Sequence, residues 1–64
     1  MWVQVRAAPN LIIAEMWKEF FEGEGIPTRL LVHPDSPTIG ESAKYLVLVP
    51  EEKEHVVEEI LRKV

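Results

Sequence analysis

Residues 9–25, PNLIIAEMWKEFFEGEG, decide how the rest of the chain is read. Asn10 has the side-chain oxygen of a helix N-cap, able to accept from the free amides of a first turn. From Leu11 onward the polar residues Glu15, Lys18, Glu19 and Glu22 fall on one helical face. Ile13, Trp17 and Phe20 lie opposite, flanked by Ala14, Met16 and Phe21, an apolar arc wider than a helix needs to cover a three-stranded sheet. Gly25 suits the left-handed residue after the helix, with Ile26 folding back as the apolar contact of a Schellman-type end.

The flanking segments follow from this helix. Residues 2–7 alternate, with Val3, Val5 and Ala7 expected on the buried face and Trp2, Gln4 and Arg6 on the other. Residues 26–33, entered through Pro27, read as a second strand. Residues 34–42, PDSPTIGES, are turn-forming and read as a loop longer than a tight hairpin needs. Residues 43–49 form a third strand whose unbroken apolar run predicts cover on both faces. Residues 51–63 read as a second helix with a stripe of Val56, Val57, Ile60 and Leu61, continued by Val64. Its acids cluster at the N-terminal end, and Glu58–Arg62 and Glu59–Lys63 are spaced as i,i+4 ion pairs.

The order is thus β-α-β-β-α, an α+β two-layer sandwich in one domain of 64 residues. The expected sheet order is 1-3-2, with both helices on one face and the first and third strands parallel. This is a ferredoxin-like unit without its last strand, which leaves the first strand as an open edge. The uncovered sheet face is then expected to carry Trp2, Gln4, Arg6, Leu46 and Leu48 as a partner-binding surface.

Composition narrows the function classes. A chain this short has a marginal core, and with no cysteine it has neither disulfides nor thiolate metal sites, so oligomerisation is the remaining common staple. The net charge of −4 and scattered basic residues argue against a nucleic-acid partner. No basic leader precedes a long apolar run and no segment is long enough to span a bilayer, so a cytoplasmic protein is expected.

Several features resemble a small bacterial domain family of unknown function described as prokaryotic signal-transducing. They are the opening strand, APNLIIAE at Ala8–Glu15, EGIP at Glu24–Pro27 and VPEE at Val49–Glu52. The resemblance implies a fold similar to the nitrogen-regulatory PII proteins and a regulatory role. It also implies that the loop between the second and third strands contacts partners, with Asp35, Ser36, Thr38 and Glu41 as candidates. It transfers no catalytic residue.

The residues themselves offer no catalytic set. Glu51, Glu52 and Glu54 sit where first-turn acids belong, with no nucleophile or glycine-rich cradle beside them, so no enzyme is expected. His33, Asp35 and Glu41 are the one conceivable metal trio, and strand-end histidines of this kind are mostly solvated, so no metal or other cofactor is expected. Two function classes remain. One is a regulatory or protein–protein interaction module that self-associates, as a dimer, or meets an unidentified protein through its open sheet face. The other is a small-molecule sensor using the loop 34–42, with Arg29, Lys44 and Thr38 as polar donors.

Overall fold

A computed structural model describes residues 1–36 and 40–63. Its elements are β1 (Trp2–Ala8), α1 (Leu11–Gly23), β2 (Arg29–Val32), β3 (Tyr45–Pro50) and α2 (Glu54–Arg62). Single 3-10 turns at Gly40–Ser42 and Glu51–Lys53 precede β3 and α2. The end of the apolar stripe expected at Val64 lies outside the described residues.

The caps of α1 form as its sequence dictates. The Ile13 amide donates to Asn10 Oδ1 at 2.9 Å. At the other end the Ile26 amide donates to the Phe21 carbonyl and the Gly25 amide to the Glu22 carbonyl, both at 3.0 Å, which is the Schellman pattern. Gly25 carries the left-handed φ of +83° that this pattern needs. Ile26 is buried and packs in the same cluster as Phe21, so the helix stop also fills the core.

Two glycines two positions apart, Gly23 and Gly25, give opposite expectations. Gly25→Ala meets no steric neighbour, so its cost is conformational, about 1–2 kcal/mol for an L-residue at positive φ. Gly23→Ala lies in the last turn of α1 with open space around it, and gains up to about 1 kcal/mol from helix propensity. Paired thermal melts check the contrast, the first falling by several degrees and the second rising. A fall in both would show that the last turn is not helical in solution.

The sheet order is β1-β3-β2, as expected, but β3 runs antiparallel to both neighbours. The parallel pairing expected of the first and third strands is therefore wrong. The crossover through α1 keeps β1 and β2 in one direction, while the β2–β3 hairpin must reverse it. The returning strand fills the gap between them.

A second correction concerns β1. Gln4 pairs with Leu48 and Arg6 with Val47, so Val5 is an extra residue, a β-bulge. Beyond it the alternation changes phase. Val3 and Val5 pack on the core, but Arg6 also turns to the helix side, where its guanidinium lies 5.0 Å from the Trp17 ring centroid. Ala7, expected inward, pairs with Leu46 on the outer face, and Ala8 is buried instead.

Both helices pack on one face of the sheet. Phe21 of α1 and Val57 of α2 are fully buried against Val47 and Val49 of β3. Trp17, Phe20 and Phe21 form a ring cluster, with Trp17 and Phe21 stacked at 5.7 Å. A second cluster of Ala8, Ala14 and Ala43 with Tyr45 lets α1 approach the other end of the sheet closely. The total surface of 4396 Å² is near the roughly 4,200 Å² that size scaling gives for a folded chain this small. On α2, Arg62 pairs with Glu59 at 3.5 Å, an i,i+3 contact in place of the expected Glu58–Arg62 spacing. Both side chains are exposed, so this pair adds little to stability.

A candidate interaction face on the open side of the sheet

Residues paired across an antiparallel ladder share a face, so the register assigns every side chain. Val3, Val47, Val49 and Leu30 face the helices. The opposite face carries Trp2, Gln4 and Ala7 on β1, Leu46, Leu48 and Pro50 on β3, and Arg29 and Leu31 on β2. The His33 amide donates to the Lys44 carbonyl at 2.8 Å, which extends the same register and adds that pair to this face. No described helix covers it.

Of the residues expected there, Trp2, Gln4, Leu46 and Leu48 are brought together, and Arg6 is not. The bulge at Val5 is the reason. Six further members join them: Ala7 and Pro50 on β1 and β3, Arg29 and Leu31 on β2, and His33 and Lys44 just beyond the β2 and β3 ends. The signal for Arg29, Leu31 and His33 lay in their odd positions, which fall on the outer face once β2 is known to pair with β3.

Trp2 is partly engaged. The Arg29 guanidinium lies 4.4 Å from the Trp2 ring centroid, and since β1 and β2 flank β3 this contact reaches across the central strand. Leu48, paired with both Gln4 and Arg29 below this bridge, is only 8% exposed. A cation over an indole contributes about 0.5–1 kcal/mol at an exposed site. The Met1 carbonyl, accepting from the Glu51 amide at 2.7 Å, anchors the chain end that carries Trp2. Trp2 itself keeps 36% of its surface exposed at the Pro50 end, and Leu31 keeps 50% beside its half-buried partner Leu46, two rows away. The face is therefore apolar in the middle, with a fixed aromatic at one corner.

The candidate loop is organised by local bonds. The Asp35 amide donates to His33 Nδ1 at 3.0 Å, and the Lys44 amide donates to Ser36 Oγ at 3.2 Å. Tyr45 Oη donates to the Gly40 carbonyl at 2.9 Å, tying the turn before β3 to the sheet. Asp35 and Glu41 are exposed and Ser36 is half-buried, while Thr38 lies outside the described residues. Among the described residues no three His, Cys, Asp or Glu side chains converge as metal ligands do.

The outer surface of α1 has a shallow depression lined by Ile12, Glu15, Met16, Lys18, Glu19 and Glu22. All six belong to one helix, so it has no second wall to enclose a small molecule. Ile12 is 73% exposed and Met16 48%, the excess of the wide apolar arc. Among the described residues no helix is long and apolar enough to cross a membrane. Comparison of the chain with known protein families, curated proteins and solved structures finds no match.

Proposed function

We propose that this chain is a small regulatory interaction module that binds protein, including its own copies, through the open face of its sheet. The observation that carries this reading is the uncovered outer face of the sheet, where Leu31 and Leu46 form one apolar pair and Trp2 stands exposed two rows away, beyond Gln4, Leu48 and Arg29. An uncovered face is available for reversible contact, and Trp and Arg are among the residue types enriched where such contacts draw most of their energy. The β1 edge is less suited to the task. Its bulge at Val5 interrupts the regular ladder that a second strand would pair with. The likeness of the cap motifs to a signal-transducing bacterial family supports a regulatory role for the contact.

Sedimentation equilibrium of the wild type beside Trp2→Glu and Leu31→Glu tests the proposal. Self-association of the wild type is expected, weakened by roughly 30-fold in each variant, the loss of one contact worth about 2 kcal/mol. Leu31 is the cleaner probe because no aromatic or ion contact in the fold uses it. Association unchanged by both substitutions would place the contact elsewhere on the molecule.

A further inference from the structure

The charges of this chain are sorted between its two sides. The open sheet face bears the cations Arg29 and Lys44, with His33 beside Lys44 accepting from the Asp35 amide, and no carboxylate occupies any paired position on it. All 11 acidic residues lie on the helices, their caps and turns, or the loop. On α1, Glu15, Glu19 and Glu22 surround the exposed Ile12 and Met16, with Lys18 the one cation among them. Ala14 and Phe21 are the sheet-facing side of that helix, and at 100° per residue Ile12 and Met16 point nearly opposite. The molecule thus has an apolar face edged with cations on one side and an apolar stripe edged with carboxylates on the other.

We infer that the open sheet face of one copy receives the outer face of α1 of the next, so that the chain associates head to tail. The inference rests on the reading that the open face is the contact surface, and it names what that face takes. Two-fold packing of sheet face on sheet face would set Arg29 and Lys44 against the same residues with no acid to pair them. Like charges brought together in this way disfavour an interface. The α1 stripe supplies the missing carboxylates, and an unbranched Met adapts to the relief of the apolar row formed by Leu31 and Leu46. A helix about 10 Å across matches the width of a three-stranded sheet. Because the two faces lie on opposite sides, each added copy leaves one of each kind unfilled, and assembly does not stop at two. The interface is small, at the low end of roughly 1,200 Å², so the association is weak and salt-sensitive.

Sedimentation velocity over a wide concentration range tests this, with wild type, Glu15→Lys/Glu19→Lys and Arg29→Glu/Lys44→Glu. In about 50 mM salt the wild-type average mass is expected to climb past the dimer with concentration, and to fall back toward monomer in about 500 mM salt. Each double variant alone is expected to stay monomeric. An equimolar mixture of the two restores complementary faces and is expected to associate again. Far-UV circular dichroism checks that each variant is folded. If Arg29→Glu disturbs the Trp2 contact, Lys44→Glu alone takes its place. Wild-type association that survives Glu15→Lys/Glu19→Lys overturns head-to-tail docking while leaving the open face as the contact, provided Leu31→Glu still abolishes it. Wild type that remains strictly monomeric up to about 1 mM overturns both the inference and the reading beneath it.

Discussion

Phe21→Ala is expected to remove half or more of the stability of the chain. Phe21 is fully buried, sits at the centre of the main cluster and stacks on Trp17 at 5.7 Å. It is also the residue whose carbonyl accepts from Ile26 in the helix stop, so the collapsed side chain and the turned chain share one position. Removing the ring costs about 3–5 kcal/mol, from lost transfer energy and the cavity left behind. A domain of this length has roughly 3–10 kcal/mol in total. Few neighbouring side chains are available to collapse into the gap, because Val47, Val49 and Val57 are short and held by the sheet and by α2. Denaturant titration by circular dichroism gives the answer, with Phe21→Leu as a smaller truncation that keeps the fold. A denaturant midpoint for Phe21→Ala close to that of wild type would mean that the ring cluster is not the centre of the core.

Val49→Asp is the second large effect, and its size depends on pH. Val49 is fully buried on the central strand opposite Val3. A carboxylate there has no hydrogen-bond donor to satisfy it, so the folded state holds the acid protonated. Its folded pKa is raised well above the unfolded value near 3.9. At pH 7 keeping the proton costs about 4 kcal/mol, on top of the lost apolar burial. The sign follows from proton counts. Between the two pKa values the folded state binds the extra proton, so stability falls as pH rises and returns as pH drops toward 4. Val49→Asn carries a similar shape and no titration. The difference between the Asp and Asn variants is therefore expected to shrink by roughly 1.4 kcal/mol per pH unit on acidification, down to about pH 4. A constant difference would mean that position 49 is wet.

The parts of this fold that were legible are those fixed by neighbours in sequence. Asn10 caps the helix through a residue three positions away, and Gly25 and Ile26 end it through bonds spanning three and five positions. The order 1-3-2 follows from one crossover and one hairpin. The bulge was not legible, because Val3, Val5 and Ala7 alternate without a break and no glycine marks the irregularity. What favours it is distant in sequence. Arg6 gains the face of Trp17, and Ala8 fits beside Ala14 and Ala43 where a larger residue would hold α1 away. The candidate face was half legible for the same reason. Trp2, Gln4, Leu46 and Leu48 precede or escape the change of phase, Arg6 follows it, and the contribution of β2 waits on a pairing that only the tertiary fold reveals.

Each of the two tryptophans lies against its own arginine, Trp17 against Arg6 on the inner side of the sheet and Trp2 against Arg29 on the outer side. The chain consequently carries two indole fluorophores, one partly buried against the hydrophobic core and one standing on the open face of the sheet. Replacing either by Phe leaves a single emitter with a known address. Trp17 alone then reports loss of the interior, and Trp2 alone reports what arrives at the outer side, so folding and docking can be followed separately in unlabelled protein.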